Sequence, residues 1–235
     1  MTTEEIMQAL QKMGSEQTKK TFLRHGAREP FFGVKVGDMK TIVKSVKKDH
    51  ALSLSLYETG NSDAMYLAGL IADEKKISKA DLQRWAEQAT WYMISEYTVA
   101  WVAAESPHGW ELALEWIESD QESVASAGWA TLSSWCTIRP DNELDLEHLK
   151  KLLDRVAANV KQAPNRVRYT MNGFVTACGI SVFPLHDYAM KIAEKIGEVY
   201  VDMGGTSCQV PLASSYISNA KEKGKLGHKK KIARC

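Results

Sequence analysis

Tyr92 and Glu96 stand four residues apart in Thr90-Trp91-Tyr92-Met93-Ile94-Ser95-Glu96-Tyr97, inside the stretch from Trp85 to Trp135 that holds all seven tryptophans of the chain. On a helix, residues i and i+4 share a face, so this spacing sets an aromatic ring beside a carboxylate. Such a pair suits a cationic ligand, or a transition state that develops positive charge. The competing reading is a tryptophan-rich helical core with Glu96 in solvent, and the crowding of rings by itself favours that one.

A second set of residues is basic. Residues 19–48 hold nine Lys or Arg against two acidic residues, with Lys35, Lys40 and Lys44 among them. Residues 221–235 hold seven against one, including Lys229, Lys230 and Lys231. Since the formal net charge is +1, the middle of the chain must be acidic. Basic ends suit phosphate contacts, whereas an acidic middle argues against a uniformly basic groove. Lys161, Arg166, Arg168 and Tyr169 cluster around Pro164-Asn165, which reads as a helix start. There, arginines and free backbone N–H groups would together attract a phosphate.

Helices must position these groups. Apolar residues recur at spacings of three and four in Ile6, Leu10 and Met13, in Val36, Met39, Val43 and Val46, in Leu67, Leu70 and Ile71, and in Leu149, Leu152, Leu153 and Val156. Polar caps and prolines punctuate the pattern. Ser78 with Asp81 and Ser119 with Glu122 have capping-box spacing. Leu52 to Leu56 alternates like a strand, as do Val199 and Val201, but neither has a partner of strand length. The expectation is an all-α chain of about twelve short helices. Ala68-Gly69-Leu70, Ala127-Gly128-Trp129 and Asn172-Gly173-Phe174 each put a glycine before a large apolar residue in mid-helix, a sign of close helix approach. Helix pairs recurring at roughly 30–45 residues mark a HEAT- or armadillo-like solenoid, whose concave face is usually the working face. Residues 1–220 are read as one such domain. Residues 221–235 follow as a basic tail, either a flexible phosphate-contacting arm or a disordered end.

Other chemistries lack their signatures. Cys136, Cys178, Cys208 and Cys235 are far apart and form no close pair in sequence, so reduced thiols are expected, the first two in the core. Cys208, His228 and Cys235 lack metal-ligand spacing, and no metal is expected. Gly204-Gly205-Thr206-Ser207 lacks the lysine and strand of a phosphate loop, so no nucleotide cofactor is expected. There is no nucleophile elbow and no helical zinc motif. The acidic, amphipathic start and the absence of roughly 18–20 consecutive apolar residues point to a cytoplasmic protein without a membrane partner.

At this point the chain resembles the HEAT-like-repeat DNA alkylation repair family, the AlkD-type alkylpurine DNA glycosylases. Phe31-Phe32-Gly33-Val34-Lys35-Val36-Gly37-Asp38-Met39-Lys40 looks like the family's entry into a basic helix. Thr90 to Glu96 looks like its central Ser-Trp-Trp…Asp segment. Thr206 to Ile217, followed by Gly224 to Lys231, looks like the basic end of one branch. The resemblance implies duplex DNA, alkylated or structured, as the partner, and binding it would place the protein at the nucleoid; the sequence leaves the oligomeric state open, with a monomer as the expectation. It implies excision of N3- or N7-alkylated purines without cofactor, by hydrolysis of the glycosidic bond. Glu96 would stabilise the sugar cation or orient water, with Tyr92 and Trp91 lining the lesion site. Lys35, Lys40, Lys44, Arg166, Arg168 and the tail lysines would hold phosphates. The chain departs from the pattern in having Glu96 for an aspartate and Tyr92 for a tryptophan. The family's arginine is replaced near Ser126, and Phe174 is the best candidate for its last groove tryptophan. Two alternatives therefore stand beside the glycosylase: a non-catalytic binder of damaged, bent or branched DNA, and a protein-interaction scaffold.

Overall fold

The computed structural model describes residues 1–234, and among these residues all regular structure is helical. The chain begins with α1 (Thr3–Met13), α2 (Glu16–Arg24) and α3 (Lys40–Val46). Next come α4 (His50–Glu58), α5 (Ser62–Ile71) and α6 (Lys79–Gln88), then a π-helical segment, Met93–Val99, continuous with α7 (Ala100–Glu105). The rest is α8 (Gly109–Trp116), α9 (Glu122–Ile138), α10 (Leu146–Asn159), α11 (Asn165–Ser181), α12 (His186–Ile196) and α13 (Ala213–Glu222). Two short 3-10 turns, Asp141–Glu143 and Phe183–Leu185, complete the set. The Leu52–Leu56 alternation lies inside α4, and among the described residues no helix is long and apolar enough to cross a membrane.

Contacts sort the helices into two rows. α5, the π-helical segment with α7, α9, α11 and α13 each touch the next member of an inner row, and α4, α6, α8, α10 and α12 back them. This is the two-layer stack of a HEAT-like solenoid. The core runs through it as two adjoining clusters, one spanning Ile6 to Ala127 and the other Ala113 to Ile217. Trp85, Trp116 and Trp129 are almost wholly buried, and Trp85 stacks on Tyr57 at 4.2 Å. With Trp101 also buried, four of the seven tryptophans are core, as the plainer reading had it, but its solvated Glu96 is corrected, since Glu96 is buried.

Two of the three mid-helix glycines mark close approach. A Cβ on Gly69 would lie 2.5 Å from Thr98 Cγ2, and one on Gly128 would lie 2.8 Å from the backbone nitrogen of Ile117. Gly173 faces open space, so the third expectation is corrected. Ser78 caps α6 through the Asp81 N–H. Ser119 does not cap α9, which begins at Glu122 with no side-chain cap. Cys136 and Cys178 are buried free thiols, as expected, and although distant in sequence their sulfurs lie 3.8 Å apart, which the sequence did not reveal. Cys235 lies outside the described residues.

The end of the chain departs most from expectation. Lys229 Nζ donates to the Cys136 carbonyl at 2.8 Å and pairs with Asp141 at 2.8 Å, and the Lys230 N–H donates to the Thr137 carbonyl. Arg234 bonds the Gly69 and Leu70 carbonyls at the end of α5 and the carboxylates of Glu74 and Glu105. Residues 229–234 form a strap that joins the ends of α9 and α5, and Lys229 is no free phosphate contact.

Candidate nucleic-acid interface

The inner row brings three helix beginnings to one place. The stretch Ala89–Tyr92 before the π-helical segment, Glu122, Ser123 and Ser126 of α9, and Asn165 and Arg166 of α11 line one cleft of about 650 Å³. Arg24 at the end of α2, with His25, Gly26 and Arg28 just past it, forms its near rim; Asp202, Met203 and Gly204 form its far rim. Helix starts direct unbonded N–H groups and the positive end of the backbone dipole into this space. Neither α9 nor α11 has a side-chain N-cap from the residue before it.

Arg166 sits at the centre. Its Nε donates to Glu96 Oε1 at 2.8 Å and its Nη2 to Glu96 Oε2 at 2.5 Å, a two-pronged pair. The Tyr92 ring lies 4.2 Å from its Cζ and the Tyr169 ring 4.4 Å from it. Tyr92 and Glu96 do converge on a cation, as their spacing predicts, but the cation is the protein's own. Glu96 is 6% exposed and does not line the cleft. Burial pushes its carboxyl up to about 7, against the lowering pull of the Arg166 guanidinium. The π-helical geometry of Met93–Val99 also differs from the α-helix the sequence suggested, and such wide turns recur at functional sites.

The acidic groups of the cleft are already engaged. Glu122 Oε1 accepts the Arg166 N–H at 2.8 Å, filling the N-terminus of α11 that the sequence offered to a phosphate. Asp202 Oδ1 accepts the Gly204 N–H, and the Asn165 side chain both accepts from the Asp202 N–H and donates to its carbonyl. Arg24 and Arg28, by contrast, are exposed and in no ion pair among the described residues, and His25 Nδ1 is 3.2 Å from the Tyr92 hydroxyl.

Of the residues singled out from sequence, Trp91, Tyr92 and Arg166 line the cleft. Lys35, Lys40 and Lys44 are exposed on and before α3, and Lys230 and Lys231 are exposed on the strap; none of these lines it. Arg168 also lies outside it, its guanidinium 5.9 Å from the Tyr200 ring. Phe174 is wholly buried against Trp129 at 5.3 Å, which removes it as a groove residue; its apolar neighbours at helical spacing made it core. Arg24 and Arg28 belong to the basic stretch 19–48 but were not singled out within it, and His25 was missed, although two arginines around a glycine at the end of a helix mark a basic loop.

Comparison with known proteins agrees with this architecture. Residues 6–192 match the family model described as DNA alkylation repair enzyme. The Listeria monocytogenes protein Lmo0209 is 34% identical over 231 residues, covering 96% of this chain and all of that one. Lin0241 of Listeria innocua is 33% identical over 229 residues, 95% of this chain and 99% of that one. A solved structure from a family described as related to the HEAT-like repeat DNA glycosylases, with affinity for branched DNA structures, superposes over the whole of both chains, with a TM-score of 0.92 and 39% identity. With most of its length matched and its two-row helical stack shared, the chain belongs to the DNA alkylation repair enzyme family.

Proposed function

We propose that this protein binds DNA at branch points through the cleft and excises no base. One observation carries the reading: the carboxylate and ring that would stabilise a sugar cation are filled by Arg166, which neutralises Glu96 and covers Tyr92. Excision would need that carboxylate free to meet developing positive charge, and a second, fixed cation in the same place opposes it. Arg24, Arg28 and the uncapped start of α9 supply phosphate contacts instead. The branched-DNA affinity described for the superposed relative supports the choice of DNA form.

The test compares a four-way junction with linear duplex of the same sequence, and measures free base released from methylated DNA. Tighter binding to the junction, weakening with salt, and no time-dependent base release are expected. Arg24→Ala should weaken binding to every DNA and lower the slope of log affinity against log salt by about one. Base release that disappears in Glu96→Gln would establish the glycosylase instead.

A further inference from the structure

The two rims of the cleft touch. Gly204 has φ +68°, and a Cβ there would lie 2.8 Å from the Arg24 carbonyl oxygen, so the turn at 202–204 rests against the loop that follows α2. Segments from opposite ends of the chain thereby meet at the edge of a half-open cleft, whose space of about 650 Å³ matches that of a small-ligand site. A duplex arm, whose major groove alone is about 12 Å wide, does not fit in such a space. The walls also differ in character: Arg24 and Arg28 on one side, Glu122, Asn165 and Asp202 on the other, with half-buried Trp91 also in the lining.

We infer that the cleft receives one or two unpaired nucleotides at the branch, beside the 202–204 turn; this rests on the reading of the cleft as a branched-DNA site. An unpaired nucleotide offers what the walls ask for. Its phosphate suits the arginine rim, its Watson–Crick amino and imino donors, hidden in a duplex, suit the second oxygens of Glu122 and Asp202, whose first oxygens hold the backbone, and its base face suits an indole.

The experiment uses two four-way junctions, one fully paired and one with two unpaired nucleotides at the crossover, one of them 2-aminopurine. The junction with unpaired nucleotides should bind roughly fivefold tighter or more, and its 2-aminopurine fluorescence should fall on binding as the base stacks. Ser123→Phe, which puts a ring into the cleft from the first turn of α9, should bring the affinity ratio to about one and abolish the fluorescence change. Equal affinities with unchanged fluorescence in the wild type would overturn this inference and leave the branched-DNA reading standing. Equal binding of linear duplex and both junctions would overturn that reading itself.

Discussion

Arg166 turns a cation site into a fixed donor. Held by Glu96 on one edge and by two tyrosine rings on its faces, its guanidinium has little freedom left to lose when a ligand arrives. Glu96 carries the corresponding cost, because burial raises its carboxyl to about 7 from an ordinary value of 4.5. The folded state then holds this proton more tightly than the unfolded chain. Its contribution to stability is full below about pH 4.5 and is lost as pH rises through about 7. Denaturation of wild type and Glu96→Gln at several pH values isolates the effect, since glutamine does not ionise. Relative to the variant, the wild type should lose up to about 3 kcal/mol between pH 4.5 and 8. Parallel curves over that window would show that Glu96 keeps its ordinary carboxylate behaviour. From sequence, the Tyr92–Glu96 spacing disclosed a cation site, and Arg166 stood out for its place at a helix start. Their meeting was not legible, because it depends on how the π-helical segment and α11 sit across α9, 70 residues apart in the chain.

At the scale of elements, local signals were read well and contacts between distant segments were not. Apolar periodicity and the Ser78 cap gave real helices. The Ser119–Glu122 spacing failed as a capping box because α9 starts at Glu122 itself. The repeated mid-helix glycines separate the two kinds of information. Gly128 sits where α9 crosses the end of α8, and its missing side chain lets the helices meet. Gly128→Ala should cost about 1–3 kcal/mol, since the added carbon meets backbone at Ile117 and has no flexible neighbour there to displace. Gly173→Ala adds its carbon to open space within α11 and should instead stabilise by about 0.5–1 kcal/mol. Urea unfolding of both variants decides the matter. Equal effects at the two sites would mean that helix approach is not what the glycine at 128 serves.

Across the whole molecule, the strap at residues 229–234 reverses the meaning of a sequence feature. A lysine-rich end of low complexity reads as a loose arm, because charge runs are usually solvated and nothing local reveals a docking site. Yet Arg234 is 9% exposed on its side chain, and Glu105 is 8% exposed on its own. Glu105 also accepts the Ala233 N–H at 2.7 Å, and Ala233 joins the first core cluster. Because Lys229 and Lys230 meanwhile grip the end of α9, the strap links the two halves of the solenoid, beside the contact of the 202–204 turn with Arg24. Such arrays lose cooperativity easily, and a tie between distant repeats opposes that. Arg234→Ala leaves the nearly buried Glu105 and two helix-terminal carbonyls without their shared partner, and leaves half-buried Glu74 to Lys48 alone, so a loss of roughly 3 kcal/mol is expected. The Glu105→Gln/Arg234→Met pair, which removes the charge at both positions, should recover part of it. Thermal unfolding monitored by tryptophan fluorescence and by far-UV circular dichroism is the measurement. If the strap couples the halves, the two probes should coincide in the wild type and separate in Arg234→Ala, since every tryptophan lies between residues 85 and 135 while helix runs the length of the chain. Coincident transitions in the variant would leave the strap a local contact, without a part in holding the stack together.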